Sequence, residues 1–274
     1  FYESIDHRKM LDILHSSPKL SVTPKRILTN LIKDYSAIVG EVKGLPRGVG
    51  LSSYLSEVFL CDIDDQLKYL KDAVYYSRYV DDIFIVFAPS SSNAIENYMS
   101  EVDLCLENKG LTCNHKTKPI DLMHDQKDKF EYLGYSFELN GEDKKIRISN
   151  NKLARYRSRI DLSISDYNKK KVFVNRKSER LLISRIRFLT GNTRLHNSKR
   201  NAFVGVYFGN KYINNYDQLH GLDQFFKSRV NRIPDERLRR KLLKLSFFDG
   251  FKDKVFRNFS TKELKNISKV WKHV

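Results

Sequence analysis

The sequence predicts an α+β fold: an antiparallel sheet packed on helices, then a mostly helical, strongly basic second half. Three observations carry this. Ala73 to Ala88 is a β-forming apolar run that holds two adjacent carboxylates, the pattern of a hairpin. Long segments beyond Asn151 repeat apolar residues at helical spacing. The charge is divided: residues 1–150 carry 19 Lys/Arg against 23 Asp/Glu, whereas 151–274 carry 31 against 10. Periodicity and charge change together near residue 150, which predicts domains 1–149 and 150–274.

Taken in order, Asp6 to His15 reads as a short helix, and Thr23-Pro24 opens another with Thr as N-cap and Pro at the first helical position. The Gly-rich stretch Gly44–Gly50 leads into an apolar helical pattern lasting to about Leu70. After the hairpin and the loop Pro89–Ser92, Asn93 with Glu96 forms a capping-box signature for a helix that Gly110 closes. Strands are expected near Leu111–Ile120 and Phe130–Leu139, the latter ending at the turn dipeptide Asn140-Gly141. Helices follow over Leu153–Tyr167, Ser178–Leu189, Asn215–Val230 and Pro234–Leu245, and Ser260 with Glu263 caps a last one.

A chain of 274 residues, 41% of them hydrophobic, can bury a sizeable core. No apolar run approaches the roughly 20 residues that cross a bilayer, and no signal-peptide pattern opens the chain, so a cytoplasmic location without membrane contact is expected. Cys61, Cys105 and Cys113 lack metal-site spacing and are expected to be packed thiols. The basic half calls for a polyanion, and the interleaved Tyr156, Tyr167, Phe188, Tyr207 and Phe208 suit nucleic acid.

Asp81 and Asp82 interrupt the most apolar β-run of the sequence. Buried carboxylates are costly unless paired or ligated, and adjacent like charges raise each other's pKa, so a divalent cation is the expected partner. Hard oxygen ligands suit Mg²⁺, with Mn²⁺ as the alternative. The acids Asp62, Asp64 and Asp65 are read as a solvated helix end.

Tyr79-Val80-Asp81-Asp82 resembles the Y-x-D-D box of reverse transcriptases. Its neighbours stand in that family's order: Phe1–Asp6 resembles the end of the first palm motif, Gly44–Ser53 the Gly-rich turn and helix, Gly110–Lys118 the fourth motif, and Phe130–Phe137 the primer grip. The wording is most similar to bacterial retron, abortive-infection and defence-associated members. The resemblance implies a polymerase palm carrying Asp81, Asp82 and the primer grip on one antiparallel sheet, followed by a helical thumb. It also implies two-metal synthesis of DNA from dNTPs on an RNA template, with a structured noncoding RNA and a companion defence protein or homo-oligomer as further partners. Template-independent or protein-primed synthesis on the same palm, and a non-catalytic RNA-binding scaffold, are the alternatives.

Residue by residue, Tyr2 matches the steric gate against a ribose 2′-hydroxyl, and Arg47 and Gly48 match positions near the incoming nucleotide. Arg47 either reaches a phosphate or pairs with a nearby acid. Lys116 matches the lysine that meets pyrophosphate, with Lys118 as its rival on one strand face. Tyr132, Leu133 and Gly134 would form the hairpin that holds the primer end, an ordinary half-buried β-hairpin over Phe130–Leu139 being the alternative, and Tyr79 would contact nucleic acid. In the basic half, Arg155, Arg187 and Arg194 would contact nucleic-acid phosphates; the segment Arg187–Arg194 reads equally as a helix C-cap turn. The family's first motif begins with a metal-binding Asp four residues before the Phe that is Phe1 here. The chain therefore reads as a segment of a longer protein, and alone it is expected to be nearly inactive.

Overall fold

The computed structural model describes residues 1–89, 95–122, 129–140, 143–170, 176–195 and 202–272. They form two compact units, Phe1–Asp121 and Leu122–Val274. The division lies upstream of the change in charge and periodicity near residue 150.

The first unit opens with a 3-10 turn, Tyr2–Ser4, and helix α1, His7–Ser16, whose N-cap Asp6 accepts from the Lys9 N–H at 3.0 Å. Helix α2 runs over Val22–Val39 and stops at Gly40 in the left-handed region. It starts earlier than predicted: Ser21 stands at the N-cap without a side-chain bond, and Pro24 is the third helical residue. Proline is tolerated there because the first-turn N–H groups have no intrahelical acceptor. Helix α3, Gly50–Lys68, buries Leu55, Phe59, Ile63 and Leu67 on one stripe, the spacing expected of a helix facing a core. Strands β1 (Ala73–Tyr79) and β2 (Asp82–Phe87) pair antiparallel, and Tyr76, Ile83 and Ile85 pack on that core with Met10 and Leu14 of α1. Helix α4, Ile95–Glu107, ends where Gly110 adopts φ +75° and donates to the Glu107 carbonyl at 2.8 Å. The Asn93 cap and the loop beyond Pro89 lie outside the described residues.

The strand expected over Leu111–Ile120 does not form. Asn114 organises a turn instead: its side-chain oxygen accepts from the Lys116 N–H at 2.8 Å and its carbonyl from the Thr117 N–H at 3.0 Å. Asn favours such local bonds over a ladder, and Pro119 could not donate to one.

In the second unit, β3 (Lys129–Tyr132), β4 (Tyr135–Asn140) and β5 (Asp143–Ile148) make a three-stranded antiparallel sheet. The segment Phe130–Leu139, one strand by alternation but a hairpin at Tyr132–Gly134 by resemblance, is two strands that turn at Leu133-Gly134. The expectation of one sheet carrying both the acids and the primer grip is also corrected: β1–β2 and β3–β5 are separate sheets. At the other end Asn140 pairs with Asp143, while the intervening Gly141 lies outside the described residues.

Helices α5 (Asn150–Lys170), α6 (Arg176–Leu189), α7 (Asp217–Val230), α8 (Glu236–Leu242), α9 (Phe247–Lys252) and α10 (Thr261–Ser268) surround a core including Ile160, Leu182, Ile186, Leu222, Phe226 and Phe247. The predicted Ser260–Glu263 capping box is present. A small pair, β6 (Asn192–Arg194) and β7 (Phe203–Gly205), was not foreseen, its strands being too short for periodicity to show. Tyr167 belongs to the core, and Tyr156 and Phe188 pack against it. They do not form the aromatic surface expected of them. Among the described residues no helix is long and apolar enough to cross a membrane.

Candidate active site

Val80 and Asp81 are the two loop residues of the β1–β2 hairpin, closed by the pair Tyr79 and Asp82. Val80 has φ +59° and Asp81 does not have positive φ. This is the pattern of a type II′ turn, which matches strand twist but normally takes Gly first. A β-branched residue there is strained by about 1–3 kcal/mol. The strain is held by Arg78, whose Nη1 donates to the Val80 carbonyl at 2.9 Å. Arg78 also grips α3, donating from Nε and Nη2 to the two Asp64 carboxylate oxygens at 2.6 Å each and from Nη2 to Glu57 at 2.8 Å. Glu57 and Asp64 are seven residues apart and so share one helix face.

Asp64 is therefore no solvated helix end, as its position late in α3 had predicted. Tyr76 donates to it as well, at 2.6 Å. Burial pushes its carboxyl up, but the bonds from Arg78 and Tyr76 outweigh that and hold it below the ordinary value. The Asp64 bond and its negative charge in turn raise Arg78.

Asp81 and Asp82 are exposed at the hairpin tip, so the buried setting inferred from the apolar run is corrected: the strands face the core while the turn projects from it. Burial of part of the Asp82 carboxyl, then the Asp81 charge, raises its pKa, and the positive charge of Lys116 opposes both. Lys116 thus comes near the acid pair from a turn rather than from a strand. Tyr79, at 63% exposure, stands beside the pair. Among the described residues no cluster of three or more potential metal ligands occurs. Two adjacent exposed carboxylates whose charges repel nonetheless fit Mg²⁺, which takes one or two protein carboxylates and completes its shell with phosphates and water.

The segment before α1 lies against the Gly-rich turn. The Gly44 N–H donates to Ile5 at 2.8 Å, the Leu45 N–H to Tyr2 at 2.9 Å, and buried His7 meets the Gly44 carbonyl through Nε2 at 2.6 Å. Gly44 needs its φ of +97° to lie so close. Tyr2 is half-buried, its hydroxyl 3.5 Å from the Oγ of Ser56 on α3, which donates to the Ser53 carbonyl at 2.8 Å. Arg47 pairs with Glu3 at 2.7 Å on the surface, the acid-paired alternative. Gly48, at φ +82°, has open space where a side chain would stand.

In the second unit, Leu133 (φ +49°) and Gly134 (φ +77°) form a type I′ turn closed by Tyr132 and Tyr135. The turn rests on α5: the Ser149 N–H donates to the Gly134 carbonyl at 3.1 Å and the Asn150 N–H to Glu131 at 2.9 Å. Lys152 approaches Gly134 and donates to the Gly209 carbonyl. Burial, then the neighbouring Arg155, lowers the pKa of Lys152, and the same two causes lower Arg159. Lys152, Arg155 and Arg159 thus make a cationic stripe on α5. Only Arg155 was singled out from sequence; basic residues three and four apart were the available signal.

The segment Leu189–Arg194 resolves into structural and exposed parts. Asn192 is buried and is a knot: its Nδ2 donates to the carbonyls of Gly250 at 3.1 Å and Val255 at 3.4 Å, and its Oδ1 accepts from the Tyr207 N–H at 2.9 Å. Gly191 has no room for a side chain, whereas Arg187 and Arg194 are exposed.

An α+β unit whose hairpin turn presents two adjacent carboxylates beside a lysine, joined in one chain to a basic helical unit, has the build of a nucleic-acid enzyme. A family model described as reverse transcriptase (RNA-dependent DNA polymerase) matches residues 1–137, half of the chain. The protein belongs to the reverse transcriptase family. Comparison with curated proteins found no match, and comparison with solved structures found none.

Proposed function

We propose that the protein synthesises DNA on an RNA template by two-metal nucleotidyl transfer at Asp81 and Asp82, in bacterial antiviral defence. The observation that carries the chemistry is the hairpin turn: two carboxylates side by side on a strained, externally braced loop, with Lys116 close enough to act on Asp82. Strain maintained by dedicated bonds favours a functional role for a turn. Bound to the pair, Mg²⁺ or Mn²⁺ would activate the primer 3′-hydroxyl and neutralise the leaving pyrophosphate. The defence role is supported by the wording of the motifs around Phe1–His7 and Gly44–Leu60.

The chain's own residues then divide the work. Arg78 fixes the direction of the turn through Val80, so that both carboxylates are preorganised. Lys116 gives charge or a proton to pyrophosphate oxygen. Tyr2, packed against the core that α3 helps to form, excludes the 2′-hydroxyl of a ribonucleotide, and Gly48 leaves space for close backbone approach to the nucleotide. The Tyr132–Gly134 turn, with Lys152 and Arg155 beside it, holds primer phosphates.

The test is primer extension on an RNA template with Mg²⁺ and the four dNTPs, using the protein in the form its gene encodes. Asp81→Asn/Asp82→Asn is expected to abolish synthesis while melting like a folded protein. Synthesis at the parent's rate by the double variant would overturn the proposal.

A further inference from the structure

The exposed aromatic surface of the second unit lies on β7, the segment that follows it and the segment after α9, and of the aromatics that composition had suggested it includes Tyr207 and Phe208. Phe203 and Phe256 are each 48% exposed. Phe203 stacks on Phe208 with centroids 5.2 Å apart and planes 22° apart, and Phe256 meets the two rings edge-on at 5.9 and 5.8 Å. Three rings thus form one cluster, Phe203 and Phe256 half-exposed and Phe208 partly buried beneath them, and exposed apolar clusters of this kind mark contact sites.

The rim of this face is cationic. The Arg194 guanidinium lies 5.7 Å over Phe203, and the Lys254 ammonium 4.7 Å over Tyr207, which itself adjoins Phe208 at 5.3 Å. Arg257 follows Phe256 and is close enough to Arg187 to feel its charge. Among the described residues no carboxylate pairs with Arg187, Arg194, Lys254 or Arg257. The mount is rigid: a Cβ on Gly250 would lie 1.6 Å from the Thr190 carbonyl oxygen and one on Gly205 2.3 Å from that of Gly191, while Asn192 ties β6, Tyr207 and Val255 together.

We infer that Phe203, Phe208 and Phe256 form a stacking platform for unpaired bases of RNA, with the rim cations taking the flanking phosphates. Half-exposed rings interleaved with unneutralised cations fit a single nucleic-acid strand: each base has a π-face and each linkage a negative charge. An apolar protein partner would leave the cations unmatched. The assignment to RNA rests on the polymerase reading above, because a DNA product is born paired to its template and the strand left unpaired is RNA.

Equilibrium binding tests this without metal or nucleotides. The single natural tryptophan, Trp271, is buried, so Phe256→Trp places a reporter on the platform. Titration with unstructured oligouridylate RNA is expected to quench it, and Phe203→Leu/Phe256→Leu is expected to weaken binding about tenfold or more. Absence of quenching, or parent-like affinity of the Leu variant, would overturn the platform; if the double variant fails to fold, the reporter decides alone. A photo-crosslinking residue at position 256, offered an RNA–DNA hybrid with an RNA overhang, should label the RNA strand, and adducts on DNA or on a copurifying acidic protein alone would overturn the assignment. A protein that binds but never extends a primer leaves the platform standing and removes the polymerase reading. Active protein whose Leu variant binds like the parent does the reverse.

Discussion

Arg78 donates to the carbonyl of Val80, two residues along, at 2.9 Å, while its other nitrogens hold Asp64 and Glu57 on α3. One side chain thus couples the shape of the Tyr79–Asp82 turn to a helix of the core.

Removing that coupling should separate catalysis from substrate binding. Arg78→Ala is expected to cost about 1–3 kcal/mol of stability, since Asp64 loses its charged partner. It should lower kcat at least tenfold with little change in KM. Arg78→Lys, which keeps the charge but not the fork, should fall between. Denaturant melts and steady-state primer extension measure both; unchanged kcat in Arg78→Ala would remove the positioning role.

At Val80 a glycine should be tolerated where a strand interior would not accept it. Val80→Gly relieves the positive φ while raising unfolded-chain entropy, so a net change within about 1 kcal/mol of zero is expected. Val86, paired in β2, gives the contrast: Val86→Gly should be clearly destabilising. Thermal melts of the two variants decide it.

The pH dependence of stability carries opposite signs at Asp82 and Asp64. The raised pKa of Asp82 means that the folded state binds its proton more tightly than the unfolded chain. That contribution is present below the ordinary carboxylate value of 3.8 and is lost as pH rises through the folded value. At neutral pH without divalent cations, Asp82→Asn should therefore melt above the parent, with the difference vanishing in acid. Mg²⁺ should raise the melting temperature of the parent more than that of the variant. Asp64, held low, contributes stability above 3.8 that disappears as pH falls through its folded value, so Asp64→Asn should melt below the parent at neutral pH.

The cationic stripe on α5 should appear in salt dependence. Neutralising Lys152 or Arg155 to Gln should weaken binding of an RNA–DNA hybrid and reduce the slope of log affinity against log salt by about 1 each. An unchanged slope in both variants would place the hybrid elsewhere.

The knot at Asn192 should be the weak point of the second unit. Asn192→Ala would leave buried backbone groups without partners and should cost about 2–4 kcal/mol. Gly250→Ala should prevent folding, because the Thr190 backbone occupies the space. A soluble Gly250→Ala protein with parent-like melting would contradict the packing described.

Much of this was legible in the sequence where a local signal decides the outcome. Gly110, the Ser260–Glu263 box and the apolar stripes of α3 and α7 act through their own neighbours and appear where expected. The adjacency of Asp81 and Asp82 pointed to the site. Their exposure did not follow from the apolar run, because the two-residue loop carries Asp81 and Asp82 closes it at the exposed end of a strand that faces the core. Asp64 was misread for a related reason: its partner Arg78 is distant in sequence and on a different element. The turn at Leu133-Gly134 was legible only through the resemblance, because apolar alternation continues through it and Leu is an uncommon choice at positive φ.

The footing of the Leu133-Gly134 turn has a practical consequence for anyone trimming this chain. The residues that resemble the primer grip end at Phe137, yet the carbonyl of Gly134 is held by Ser149 and the side chain of Glu131 by Asn150. A protein truncated at residue 148 would retain every recognisable motif and forfeit the floor on which the last one stands. Dissection at residue 121 respects the architecture, and a hairpin grafted elsewhere must bring the start of α5 with it.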